Sequence, residues 1–108
     1  DFNKYLNERL TEITETLQIK GKEYVRNSDR FHNFNTGSKL KQKPRELILD
    51  DYMFKHYVSY RDMLSDIEKG DYPTEKYIRE KIGDLIVYFI LQEIGLKQKL
   101  NGNNNTTD

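Results

Sequence analysis

The chain has no cysteine and no tryptophan, and only two prolines, among its 108 residues. Without cysteine there is no disulfide framework, no zinc knuckle and no thiol nucleophile, so any chemistry must use oxygen and nitrogen donors. Charge of one sign is also missing: 18 Lys and Arg balance 18 Asp and Glu. No global field therefore draws the protein to DNA, RNA or an anionic membrane. The longest apolar run, LIVYFIL at 85–91, falls far short of the ~20 residues that span a bilayer. No charged-then-apolar leader precedes it in the given sequence, and the expected location is the cytoplasm. The chain also lacks a glycine-rich phosphate loop, HExxH, a nucleophile elbow and an EF-hand pattern.

What is present is charge and aromatic bulk. Hydrophobic residues make up 35% of the chain and charged ones 33%, which allows one modest core to which eight Tyr and five Phe contribute heavily. Residues 1–100 read as a single helical domain. The closing NGNNNTTD, 101–108, is too polar to join a core and is expected to be a disordered tail.

Periodicity divides the domain into three main helices. Leu6, Leu10, Ile13 and Leu17, continued by Tyr24, recur at three and four and mark a first helix over about 3–26. The stretch 27–43, NSDRFHNFNTGSKLKQK, holds no sustained period and reads as a loop with a short helical turn at most. Pro44 suits the first turn of the next helix, whose stripe of Leu49, Met53, Tyr57, Tyr60, Leu64 and Ile67 runs to Gly70. GDYPT at 70–74 is a turn with Thr74 as N-cap, and the last helix covers about 75–97, ending near Gly95 or soon after. It carries Ile78, Ile82, Leu85, Ile86, Phe89 and Ile90 on one side, and Val87, Leu91 and Ile94 on the other. A helix apolar all round must be covered all round. The expected fold is an all-α antiparallel bundle of three helices, completed by a second subunit.

Two segments carry the candidate chemistry. In EKIGDLIVYFIL, 80–91, Glu80 and Asp84 stand one turn apart, where both could hold one hard divalent cation. The plainer reading pairs Glu80 with Lys76 or Lys81 and leaves Asp84 at a solvated flank. In KGKEYVRNSDRFHNF, 20–34, Glu23 could be a third ligand, and the cations Lys20, Lys22, Arg26 and Arg30 around Glu23 and Asp29 would suit a phosphate-bearing ligand. A solvated helix end explains the same charges. His56 falls within the apolar face of the middle helix, near Tyr52, Tyr60 and Met63, as a hydrogen-bonded core histidine would, whereas Lys55 falls on its polar side. His32, between Phe31 and Phe34 in RFHNF, could stack on a base or staple the loop down.

These segments resemble the MazG-like, all-α nucleoside triphosphate pyrophosphohydrolases, especially small phage-encoded relatives. The similarity covers about residues 15–95 and rests on KGKEY, on the Asn33-Phe34 pair in a polar loop, on Met53, Lys55 and His56 in the middle helix, and on EKIGDLIVYFIL. It implies metal-dependent hydrolysis of a nucleoside triphosphate to a monophosphate and pyrophosphate, with Mg2+ or Mn2+ on Glu23, Glu80 and Asp84. The implied phosphate contacts are Lys22, Arg30 and Lys55, and the implied base or sugar contacts are His32, Asn33 and Phe34, with Asp29 and His56 lining the substrate. The chain departs from the family's acid pairs: Lys81 stands three before Asp84, and Ile19 and Lys20 precede Glu23 at helical spacing. Those departures favour a second expectation, a non-enzymatic phage protein that binds a host or viral protein. A third is a helical nucleic-acid binder using Arg26, Arg30, Lys39, Lys41, Lys43 and Arg45, with Phe31 and Phe34 as stacking groups. Neutral charge and the acid-rich middle helix oppose it.

Overall fold

A computed structural model describes residues 1–23 and 29–103, apart from the side chains of 20–23 and 103. The described elements are helical: α1 (Phe2–Glu23), α2 (His32–Lys41), α3 (Arg45–Glu68) and α4 (Glu75–Asn103). None of them is long and apolar enough to cross a membrane.

The largest departure from the sequence expectation is α2, ten residues of helix inside the stretch that reads as a loop. Its residues, HNFNTGSKLK, include Asn, Thr, Gly and Ser, which are poor helix formers. Tertiary contacts and end chemistry outweigh that propensity. Asp29 organises the start: Oδ1 accepts the Phe31 N–H at 2.9 Å and Oδ2 accepts from Asn35 Nδ2 at 3.0 Å. Phe31 and Phe34 then insert into a core with Ile48, Leu49 and Met53, against which Leu85, Tyr88 and Leu91 pack. Gly37 permits the close approach to α3, because a Cβ there would lie 3.0 Å from Ile48 Cγ2. The end is closed by Gln42 in the left-handed region (φ 53°), with Lys43 N–H donating to the Ser38 carbonyl and Ser38 Oγ to the Lys43 carbonyl.

Pro44 lies at the N-cap of α3, one residue before the helix proper. Gly70, with φ 87°, turns the chain after α3, and Thr74 Oγ1 caps α4 by accepting the Tyr77 N–H at 3.1 Å. α3 and α4 run antiparallel: Arg45 reaches Gly95 and Gln98, and His56 reaches Asp84. Past Gly95, where the sequence suggested an end, α4 continues to Asn103. The first turn of α3 holds it there: Gln92 Nε2 donates to the Glu46 carbonyl at 2.8 Å, Lys99 pairs with the Glu46 carboxylate, and Arg45 caps Gly95 O at 3.1 Å. The lysine hydrogen bond holds the Glu46 carboxyl below the ordinary glutamate range.

α1 runs parallel to α4, since Tyr5 meets Arg79 while Arg9 lies against Gly83. It packs on α4 and, among the described residues, on neither α2 nor α3. The arrangement is thus an α2–α3–α4 core with α1 laid along one side of α4, rather than a closed three-helix bundle. Its radius of gyration, 16.6 Å, exceeds the ~13 Å of a compact domain of this size.

Candidate functional site

Between α1 and α4 lies a cleft of about 690 Å³. From α4 it is lined by Glu75, Lys76, Arg79, Glu80, Gly83, Asp84 and Val87, and from α1 by Arg9, Glu12, Ile13 and Thr16. Helical geometry explains the lining. Residues 76, 80, 83, 84 and 87 recur at three and four, so they share one side of α4. Gly83 supplies the gap that admits Arg9: a Cβ at that position would meet the guanidinium at 3.2 Å.

The α1 wall is electrostatically organised. Both oxygens of Glu12 are engaged, one by Arg9 at 2.8 Å and the other by Arg79 at 3.1 Å. Arg9 also donates to the Arg79 carbonyl at 3.0 Å, which fastens α1 to α4. Arg79 donates to Tyr5 Oη at 3.1 Å, stacks 4.8 Å above that ring and pairs with Glu75 at 3.2 Å. The Tyr5 hydrogen bond, with the charges of Glu12 and Glu75, raises the Arg79 pKa above the ordinary arginine value. The wall is therefore a network of paired charges, two guanidiniums set against Glu12 and Glu75.

On the other side of the cleft Asp84 links α4 to α3. Its Oδ2 lies 3.4 Å from His56 Nδ1, and both side chains are largely covered, at 16% and 22% exposure. The His56 ring lies 5.0 Å from the Tyr88 ring with the planes 35° apart. The histidine on the apolar face of the middle helix thus has a carboxylate partner that neither residue's local sequence reveals. Glu80, one turn before Asp84, is exposed at the cleft.

The other sequence-derived candidates scatter. Glu23 and Lys22 have side chains outside the described residues; they close α1 about two turns beyond Thr16, the last cleft residue on that helix. Asp29 is committed to starting α2 through both oxygens. Arg30 is exposed before that helix, and His32 and Asn33 are half-buried in its first turn. Phe34 is 2% exposed, edge-on to Tyr52 with ring centroids 5.2 Å apart, so it is a core residue and cannot stack on a nucleotide base. Lys55 is exposed and, one residue from His56, points about 100° away from it around α3.

The basic-loop reading changes for the same reason. Phe31, its other stacking group, is 6% exposed beneath Arg45, whose guanidinium lies 4.4 Å above the ring and hydrogen-bonds within the fold, while Lys43 pairs with Asp51 at 2.7 Å. The sequence reading missed Arg9, Glu12 and Arg79. Charges at three- and four-residue spacing look like a solvated helix face, and the one available signal was Gly83, a gap in an otherwise bulky helix. The chain matches no protein-family model, no curated protein and no solved structure.

Proposed function

We propose that the protein binds the magnesium complex of a nucleoside triphosphate in the α1/α4 cleft and hydrolyses it to the monophosphate and pyrophosphate. The observation that carries this reading is that Glu80 and Asp84, one turn apart, line the same cleft as Arg9, Arg79 and Lys76. Magnesium is commonly held by one or two carboxylates with substrate phosphates completing the shell, so this pair fits an ion that arrives with its nucleotide. The ion would stabilise charge on the phosphoryl oxygens. Lys76 would meet the remaining phosphate charge, with Arg79 shared between the phosphate, Glu12 and Glu75, and His56 would hold Asp84 in place. Water would bond to the α-phosphorus while the bond to the bridging oxygen breaks, pyrophosphate leaving with the electron pair and a cleft carboxylate taking the proton.

The test is pyrophosphate release from a panel of ribo- and deoxynucleoside triphosphates, with and without magnesium. Activity that requires the ion and falls at least ~100-fold in Asp84→Asn is expected, the scale of losing a key electrostatic group. No release, together with no magnesium-dependent heat on titrating nucleotide, overturns the proposal.

One observation favours a second reading, a non-enzymatic helical protein that binds a host or viral protein. Lys81 stands three residues before Asp84 and Lys20 three before Glu23, where the resemblance would want acids. On that reading Glu80→Ala/Asp84→Ala would still capture the partner, and nucleotide would have no effect on capture.

A further inference from the structure

The two guanidiniums of the cleft wall converge on a single carboxylate. Arg9 Nη1 lies 2.8 Å from one oxygen of Glu12, and Arg79 Nη1 lies 3.1 Å from the other. Each guanidinium is also held by contacts that do not involve Glu12. Arg9 donates to the Arg79 carbonyl at 3.0 Å, while Arg79 donates to Tyr5 Oη and pairs with Glu75 through Nη2. Glu12 is the least covered of the three, its side chain 43% exposed against 14% for Arg9 and 28% for Arg79. The two cations thus form a fixed seat, and the carboxylate is its movable occupant.

We propose that Glu12 is a tethered anion filling a phosphate seat, so that a phosphate-bearing ligand must displace it to reach Arg9 and Arg79 together. The proposal rests on the reading of the cleft as a phosphate site and adds what controls access to it. Three features select displacement of Glu12. First, a phosphate presents two oxygens spaced much as those of a carboxylate are, so it can accept from the same two Nη1 groups. Second, around the cleft three cations, Arg9, Lys76 and Arg79, face four carboxylates. Positive charge is not in surplus, and a phosphate gains both guanidiniums only by replacing the partner they share.

Third, Glu12 is the residue that can yield. It turns readily into water, whereas moving Arg79 would break its contacts with Tyr5 and Glu75. Glu75 contacts Arg79 alone, from one turn earlier on the same helix, so its departure would free one guanidinium and not the pair. The consequence is a threshold. A tethered carboxylate competes at high effective concentration, so a ligand offering one weak contact leaves Glu12 in place, and one that also reaches Lys76 replaces it. Glu12 then differs from a residue that merely fastens α1 to α4: removing its charge costs stability and yet tightens the ligand.

Calorimetric titration of the full chain with the magnesium complex of inorganic triphosphate, a probe without base or sugar, tests the inference. Glu12→Gln should bind it ~3–10-fold more tightly than wild type, the scale of relieving two half-exposed ion pairs, with a lowered melting temperature. Arg79→Gln should weaken binding, and in its background the gain from Glu12→Gln should shrink. Affinity unchanged or reduced by Glu12→Gln overturns the inference, because a residue that only fastens α1 gives no gain. A gain undiminished by Arg79→Gln also overturns it, since net charge and not the seat would then be responsible. Should Glu12→Gln fail to fold, Glu12→Asp, one methylene shorter, carries the same expected sign. Pyrophosphate release from nucleotides is a separate readout: its absence with the Glu12→Gln gain intact removes the hydrolase reading and leaves the seat, whereas release without the gain removes the seat alone. No heat from either wild type or Glu12→Gln overturns both.

Discussion

Replacing Phe34 by alanine separates a packing role from a ligand-stacking role, the two readings that the motif RFHNF leaves open. The ring is 2% exposed, with Tyr52 edge-on at 5.2 Å and Phe31 tilted at 6.3 Å. Truncating a buried phenylalanine to alanine costs ~3–5 kcal/mol, and the two aromatic contacts, each worth ~0.5–1.5 kcal/mol beyond area, place this site in the upper part of that range. The loss should be ~4 kcal/mol. With a urea m-value of ~1–3 kcal/mol per molar, the midpoint falls by ~1.3–4 M, a large share of the stability of a small domain. The assay is urea unfolding followed by far-ultraviolet circular dichroism at one fixed protein concentration, so that any association is held constant. Phe34→Leu should recover more than half of the loss by refilling the volume. A loss below ~1 kcal/mol for Phe34→Ala would refute the core placement and return the ring to the surface.

Other perturbations probe the contacts that hold the layers together. A double-mutant cycle between His56→Ala and Asp84→Ala should show a coupling of ~1 kcal/mol by equilibrium unfolding, as contacting half-buried groups do, and additivity would deny the link between α3 and α4. Glu46 has a folded-state pKa below its unfolded value of ~4.3, so its contribution is present above that value and disappears as pH falls through the folded value. Glu46→Gln should therefore lower the melting temperature by a few degrees at pH 7 and by less at pH 3, and an unchanged difference would contradict the Lys99 pairing. Arg45→Lys keeps the charge but loses the fork that spans Gly95, Gln98 and Phe31, so it should cost ~1–2 kcal/mol in the same unfolding assay.

The helical class, the existence of three long helices and most of their turns are legible along the chain, because those depend on local regularities. Apolar spacing at three and four, Thr74 before α4 and Gly70 after α3 act within a few residues of one another. The sequence also singled out Asp84 and His56 as residues needing partners, since a carboxylate ahead of an apolar run and a histidine on an apolar face are both costly alone. It could not show that each is the other's neighbour, for they sit on different helices and no local pattern records the pairing. Contacts between helices override what propensity suggests. α2 forms from weak helix-forming residues because Asp29 starts it and Phe31 and Phe34 gain a core, and α4 outlasts Gly95 because Arg45 and Glu46 of α3 satisfy its last turns. The cleft is likewise a product of assembly. Glu12, Arg9 and Arg79 look like surface charges along the chain and become one wall only when α1 lies parallel to α4, with Gly83 leaving the room.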